Sequence, residues 1–226
     1  MYPYFSTVRK FAILLKIFFF PPQCPLCAKE SFIYSIHENC LANIPLHIKE
    51  KHGWIIPLFP YNTRLVKDFI LFLKKHSQYT LPDSFLVRLN TLLSAIIEKH
   101  TIHKDKAILV PIPARDERME QQGFNQAAML AELFSGILSI PLSEDLLTNN
   151  PYAQREKQAF LQDRTERIAR LANTFTTRSN IHDPIPKNAH IILIDDVTTS
   201  GATFAEARRA LEERGLTNII GVSLAG

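Results

Sequence analysis

The segment from residue 191 to residue 203 constrains the fold of this chain more than any other feature. It reads Ile-Ile-Leu-Ile-Asp-Asp-Val-Thr-Thr-Ser-Gly-Ala-Thr, and a stretch rich in Ala, Leu, Glu and Arg follows it up to Gly215. The continuous apolar run predicts a strand buried on both faces, as in a parallel sheet. The composition after it predicts a helix that ends at the glycine. The sequence therefore indicates an α/β fold with an acid pair and a hydroxyl-rich loop at a strand end.

This loop is suited to a phosphorylated sugar. Backbone N–H groups and the positive end of the helix dipole favour a phosphate dianion, and the small hydroxyl side chains add donors. Gly201 lets the backbone come close to a ligand. Asp195 and Asp196 would repel phosphate, but they can accept hydrogen bonds from the two vicinal hydroxyls of a ribose. Two other interpretations of the acid pair are a solvated strand end and a metal site of the phosphoacceptor kind.

The whole segment resembles the 5-phosphoribosyl 1-pyrophosphate (PRPP) motif of type I phosphoribosyltransferases. The PRPP-binding residues that this resemblance implies are Asp195, Asp196, Val197, Thr198, Thr199, Ser200, Gly201, Ala202 and Thr203. The two acids would hold the ribose hydroxyls, and the loop over residues 198–203 would hold the 5-phosphate. Mg²⁺ would bridge the pyrophosphate, because this ion binds substrate phosphates with few protein ligands. If transfer occurs, it is a displacement at the anomeric carbon that depends on positioning and electrostatics.

The chain has three cysteines, which are too few and too clustered for a disulfide framework. Cys24 and Cys27 form a C-x2-C pair, and His37 and Cys40 form an H-x2-C pair. Together they predict a tetrahedral Cys3His zinc site, which is structural because it leaves no open coordination position. Two alternatives are a redox pair and a small core that has lost its metal ion. Other candidates for the fourth ligand are His47 and His52.

The first residues of the chain contain an apolar run over residues 11–20. Lys16 interrupts this run, no small-residue cleavage site follows, and the run is too short to span a bilayer. We therefore expect a short amphipathic helix that packs on the rest of a cytoplasmic protein. A peripheral contact with the inner membrane is the alternative.

Two apolar stripes at helical spacing, over residues 65–73 and 86–97, predict helices that pack on the core. Lys67, Lys74 and Lys75 indicate a solvated helix face, with a nucleic-acid surface as the alternative. We expect residues 1–60 to form an N-terminal helix and a zinc-ribbon unit. Residues 61–226 would form the main domain, with strands near residues 107–112, 191–195 and 218–225.

A second motif follows the strand expected at residues 107–112. It comprises Val110-Pro-Ile-Pro113, then Arg115 and Arg118, then Gly123-Phe-Asn-Gln126 at the start of a helix expected over residues 127–137. The two guanidinium groups suit a pyrophosphate or a nucleic-acid backbone, although solvated charges in an ordinary loop give the same pattern. Asn125 and Gln126 can cap the helix or reach a ligand. We take Arg118 as a candidate catalytic residue beside Asp195 and Asp196.

The order and spacing of these features resemble the ComF family over nearly the whole chain. This family comprises phosphoribosyltransferase-like proteins linked to natural competence and the use of external DNA. The resemblance implies a type I phosphoribosyltransferase fold with a Rossmann-like parallel sheet and a small N-terminal zinc ribbon. It further implies PRPP or ribose 5-phosphate as ligand, and single-stranded DNA and competence proteins as partners.

Three residues depart from the family pattern. His37 replaces a cysteine, Gln122 replaces the arginine before Gly-Phe-Asn-Gln, and Arg170 replaces an asparagine in an arginine-rich stretch over residues 155–170. The loss of the arginine at position 122 weakens a pyrophosphate contact, so PRPP binding is better indicated than transfer. One alternative is a metabolic phosphoribosyltransferase acting on a nucleobase or nucleotide. Another is a scaffold protein stabilised by zinc, whose PRPP site is vestigial. A net charge of +4 is compatible with nucleic acid but does not indicate it.

Overall fold

The computed structural model describes residues 23–31, 36–46, 49–75, 81–114, 119, 123–151, 173–178 and 185–226. The strands of this part are β1 (Ile55–Phe59), β2 (Ala107–Pro111), β3 (Leu147–Asn149), β4 (Phe175–Thr177), β5 (His190–Val197) and β6 (Ile219–Ala225). Four of them form a parallel sheet with the order β1-β6-β5-β2, and β3 pairs with β4 in an antiparallel ladder. The predicted α/β class with a parallel sheet is confirmed, and so are its three expected strands.

Helices cover both faces of the sheet. They are α1 (Glu38–Ala42), α2 (Arg64–Lys75), α3 (Asp83–Lys99), α4 (Gln126–Leu138) and α5 (Ala202–Glu213). Ile192 and Ile194 of β5 pack in the core formed with α2, α3 and α4. Ile191 and Leu193 face the opposite core, which contains α5 and the β3–β4 ladder. Because successive side chains of β5 enter different cores, the strand is apolar at every position from 191 to 194.

The two predicted packing helices are confirmed as α2 and α3, whose apolar stripes are buried in the core. The expectation of a solvated lysine face on α2 holds for Lys75, which is exposed. It is wrong for Lys74, whose ammonium lies 2.7 Å from a carboxylate oxygen of Asp196. This ion pair brings the end of α2 to the carboxyl end of β5.

The N-terminal part of the chain is joined closely to the sheet. Strand β1 lies before the boundary expected near residue 60, and it pairs with β6 along the edge of the sheet. Cys24 and Leu41 belong to the same apolar core as Phe69 of α2. Arg88 of α3 donates hydrogen bonds to the carbonyl oxygen of Leu41 at 2.9 Å and to that of Ala42 at 3.2 Å. Residues 55–59 are thus part of the sheet, and the metal-binding segment shares its core.

Several residues of interest lie outside the described part of the chain. They are the apolar run at residues 11–20, His47, Arg115, Arg118, Gln122 and the arginine-rich stretch at residues 155–170. Within the described part, no helix is both long and apolar enough to cross a membrane.

Candidate functional site

A crevice opens at the carboxyl ends of β2 and β5. The chain leaves β2 for α4 on one face of the sheet and leaves β5 for α5 on the other face. Two neighbouring strands whose connections diverge in this way leave a crevice where open α/β sheets bind ligands. A cavity of about 310 Å³ occupies this place. Its lining includes Asp195, Asp196, Thr199 and Thr203, so the structure brings the acid pair and part of the hydroxyl loop together.

The two acids of the pair have different surroundings. Asp195 is half-buried, and its Oδ1 accepts a hydrogen bond from the N–H of Asp196 at 2.8 Å. Asp196 is 7% exposed; its Oδ1 accepts a hydrogen bond from the N–H of Val197 at 2.8 Å, and its Oδ2 pairs with Lys74. Both oxygens of Asp196 therefore already interact with the protein. The sequence does not predict that Lys74 belongs to this site, because nothing in it distinguishes Lys74 from the exposed lysines of the same helix.

The hydroxyl loop is anchored to the sheet through Thr198. This residue is 3% exposed, and its N–H donates a hydrogen bond to the carbonyl oxygen of Ala225 at 2.8 Å. Thr199 and Ser200 are exposed, and helix α5 begins directly after Gly201. The first N–H groups of α5 have no partner within the helix, which gives this end its affinity for anions. The loop thus combines a fixed base with accessible donors next to the acid pair.

Residues from the N-terminal part of the chain hold the outer side of this loop. The ammonium of Lys51 lies 3.4 Å from the carbonyl oxygens of both Thr198 and Thr199. The Nε2 atom of His52 lies 3.0 Å from the carbonyl oxygen of Ser200, and it can donate a hydrogen bond there. His52 was one candidate for a fourth metal ligand, and this placement corrects that expectation. The sequence gives no signal for the contact, because about 150 residues separate its partners.

Gly201 has no free space beside its Cα atom for a side chain. Its φ of +76° is rarely adopted by residues with a side chain. A Cβ atom added there would lie 2.8 Å from the ring of His52 and 3.1 Å from the side chain of Ile55. We predicted a glycine that permits close approach to a ligand, and the structure shows a close approach to these two side chains. The glycine therefore lets the loop rest against the N-terminal part of the chain.

The Gly-Phe-Asn-Gln motif fixes the start of α4. The Oδ1 atom of Asn125 accepts a hydrogen bond from the N–H of Ala127 at 3.1 Å, which caps the helix. Its Nδ2 donates to the carbonyl oxygen of Ile112 at 3.1 Å, just beyond β2. Gln126 is buried and lines the cavity. The capping role expected for Asn125 is confirmed, and the motif positions α4 beside the crevice.

The four predicted metal ligands come together in space. The ligand atoms of Cys24, Cys27, His37 and Cys40 all lie within 4.8 Å of one another. The sulfur atoms of Cys24 and Cys40 are 3.9 Å apart, and the sulfur of Cys27 lies 3.3 Å from Nδ1 of His37. A tetrahedral zinc ion with bonds of about 2.3 Å to sulfur and about 2.0 Å to nitrogen has ligand separations of roughly 3.5–3.8 Å. The two measured pairs lie within about 0.2 Å of this range, and the four ligand atoms are close enough together that the cluster could hold a metal ion such as zinc.

The surroundings of the cluster also suit metal binding. Nε2 of His37 lies 2.9 Å from the carbonyl oxygen of Glu30, so it can donate its proton there and leave Nδ1 free to bind a metal. Burial, reinforced by the neighbouring thiols, raises the pKa of Cys40 to about 12. A cation bound between the sulfur atoms would stabilise the thiolates that such a site requires. The donor set thus fits the ion that its spacing predicts.

The chain matches no protein-family model, but it has curated relatives. It is 29% identical over 198 residues to competence protein ComFC of Bacillus subtilis, covering 85% of this chain and 72% of that protein. It is 30% identical over 167 residues to competence protein ComFC of Streptococcus pneumoniae, covering 74% of this chain and 66% of that protein. It is 27% identical over 203 residues to competence protein F of Haemophilus influenzae, covering 88% and 82%.

Solved structures with partial similarity include two adenine phosphoribosyltransferases. The enzyme from Leishmania tarentolae is 17% identical, with a TM-score of 0.35 over 64% of this chain and 71% of that one. The enzyme from Leishmania donovani is also 17% identical, with a TM-score of 0.34 over 64% and 65% of the two chains.

Proposed function

We propose that this chain, a homologue of the ComF-family competence proteins, is a PRPP-binding protein of natural competence and the utilisation of external DNA. The observation that carries the proposal is the cavity in which the acid pair and the hydroxyl loop meet at the start of α5. Carboxylates accept hydrogen bonds from sugar hydroxyls, and a helix start favours phosphate. PRPP presents both groups at once.

Each part of the proposed site has a role that its chemistry supports. The acid pair, Asp195 and Asp196, would bind the ribose hydroxyls, and the loop over residues 198–203 would bind the 5-phosphate. Mg²⁺ would accompany the pyrophosphate and neutralise part of its charge. Arg118 is proposed to contact the pyrophosphate. If transfer takes place, an acceptor forms a bond to the anomeric carbon as the bond to pyrophosphate breaks, and the protein contributes positioning and electrostatic stabilisation.

The other parts of the chain complete the proposal. The cluster of Cys24, Cys27, His37 and Cys40 would hold a structural zinc ion. Single-stranded DNA and competence proteins are the proposed partners, by homology with the competence proteins of the three bacteria. The proposed location is the cytoplasm, and a peripheral contact of the first residues with the inner membrane is the alternative.

Titration of the whole protein with PRPP and Mg²⁺ by calorimetry tests the proposed site. We expect saturable binding that Asp195→Asn weakens about 10- to 100-fold, because hydrogen bonds to charged groups contribute about 1.5–3 kcal/mol. Asp105→Asn is the matched control, because Asp105 is exposed in the turn that precedes β2 and lies away from the cavity. Absence of binding to the folded wild-type protein, or equal affinities of all three proteins, would overturn the assignment.

Binding of single-stranded DNA gives a second test of the proposed function. If the chain neutralises DNA phosphates, the logarithm of the binding constant falls linearly with the logarithm of the salt concentration. The slope is about −0.7 for each neutralised phosphate. We expect this dependence in fluorescence-anisotropy titrations with a labelled oligonucleotide. A metabolic phosphoribosyltransferase would instead show no such binding and would release pyrophosphate from PRPP in the presence of a nucleobase.

A further inference from the structure

Lys74 is the only lysine or arginine among the described residues that line the cavity. It stands near the end of α2, and its side chain is 28% exposed. Its ammonium lies 2.7 Å from Oδ2 of Asp196, whose side chain is 10% exposed. Among the described lining residues, the pair thus links the one cationic side chain to Asp196, the more buried of the two aspartates. Lys75, the next residue, is exposed and does not line the cavity.

In this ion pair, Lys74 and Asp196 already use the groups with which each would bind a ligand. Asp196 receives the N–H of Val197 on one oxygen and the ammonium of Lys74 on the other. A sugar hydroxyl can approach Asp196 fully only if the ammonium moves, and an anion can use Lys74 fully only if the carboxylate releases it. The pair is partly buried, because Asp196 is buried and Lys74 is half-buried. Breaking it without replacing either partner is unfavourable, above all for the buried carboxylate, which then loses its counterion.

A ligand that carries both an anion and a vicinal diol replaces both partners together. Its hydroxyls take the place of the ammonium at Asp196, and its anion takes the place of the carboxylate at Lys74. The lysine side chain suits such an exchange, because it is a point charge on a flexible stem. A ligand with only one of the two groups leaves one charge without compensation.

We infer that the Lys74–Asp196 pair is a selectivity device that opens for a sugar bearing an anionic group next to its diol. This inference rests on the proposed function and deepens it, since PRPP carries its pyrophosphate beside the ribose hydroxyls. In the bound state, Lys74 pairs with the pyrophosphate and Asp196 accepts a hydroxyl. Ribose 5-phosphate has the diol without the neighbouring anion, and inorganic pyrophosphate has the anion without the diol. Lys74 therefore determines the preference for PRPP over ribose 5-phosphate and over inorganic pyrophosphate.

The test compares three probes, PRPP, ribose 5-phosphate and inorganic pyrophosphate, each titrated with Mg²⁺ into wild type and Lys74→Met. We expect the substitution to weaken PRPP binding at least tenfold while ribose 5-phosphate binding changes less than threefold or becomes tighter. The preference for PRPP then falls. Lys75→Met is the matched control on the same helix, and it should keep the wild-type preference. If Lys74→Met weakens both sugar ligands by the same factor, or weakens neither, the exchange does not occur.

Two further variants separate folding from selectivity. Lys74→Arg keeps the cation and should keep most of the preference. The double variant Lys74→Met with Asp196→Asn removes both charges, so neither group is left without its counterion. It is therefore expected to fold even where Lys74→Met alone does not. We expect it to fold and to have lost the preference; a double variant with the wild-type preference would overturn the inference. The proposed function fails if the wild-type protein does not bind PRPP, whereas the exchange alone fails if the wild type binds and the Lys74 variants keep its preference.

Discussion

Removal of the zinc ion that we propose for the cluster of Cys24, Cys27, His37 and Cys40 is expected to lower the free energy of unfolding of the whole chain by about 4 kcal/mol or more. A ligand that binds only the folded state stabilises it by this amount when its concentration is about 1,000 times its dissociation constant. Structural zinc sites bind with larger apparent free energies, of about 10–16 kcal/mol in isolated peptides. The expected loss is therefore among the largest effects that a change to this chain can have.

The packing of the cluster explains why loss of the metal ion should destabilise more than residues 24–40. Cys24 is 1% exposed, and it belongs to one apolar core with Leu41, Phe69 and Phe85. Arg88 binds the carbonyl oxygens at the end of α1, so this short helix is attached to α3. A cluster that opens after metal loss would expose part of this shared core to water. Unfolding of the metal-binding part should then destabilise the sheet as well.

The experiment compares His37→Gln with His103→Gln. Both substitutions replace an imidazole with an amide, but His103 is exposed and lies outside the cluster. We expect His37→Gln to lose bound zinc, measured by elemental analysis, and to unfold at a lower denaturant concentration. His103→Gln should match the wild type in both measurements. A wild-type protein that contains no metal after purification, and whose stability does not respond to zinc or to a chelator, would contradict the assignment.

The features that the sequence predicts well are those encoded by neighbouring residues. Strand β5 follows from an uninterrupted apolar run, and α2, α3 and α5 follow from composition and helical spacing. The metal cluster follows from two pairs of ligands at short spacing, and the cap at Asn125 follows from a residue type favoured at helix starts. In each case the residues that carry the signal lie close together in the sequence.

The features that the sequence does not predict depend on residues far apart in the chain. Strand β1 is short and contains Pro57, which argues against a strand unless the strand lies at a sheet edge. Its partner β6 lies at the other end of the chain, so its position emerges only from the tertiary structure. The contacts of Lys74 with Asp196 and of His52 with Ser200 arise in the same way. These long-range contacts complete the candidate site.

Replacement of Gly201 by alanine is the second change for which we expect a large effect. A residue with a side chain at a φ of +76° loses roughly 1–2 kcal/mol relative to glycine. The new Cβ would also lie 2.8 Å from the ring of His52 and 3.1 Å from Ile55, and overpacking of this kind costs about 1–3 kcal/mol. Relief of the clash requires the loop or His52 to move. The hydrogen bond between His52 and Ser200 would then be disturbed, and with it the proposed phosphate site.

Gly215→Ala is the matched control, because it separates backbone strain from the clash. Gly215 has a φ of +86° after α5, but a Cβ atom added there would have no neighbour within 4 Å. Both substitutions should lower the free energy of unfolding by the strain of a left-handed alanine, and Gly201→Ala should lower it by about 1–3 kcal/mol more. Denaturant unfolding measures this difference, and calorimetry with PRPP measures its consequence. We expect Gly215→Ala to bind as the wild type does and Gly201→Ala to bind at least tenfold more weakly. If the folded Gly201→Ala protein bound PRPP with wild-type affinity, the loop held by His52 would not be the phosphate site.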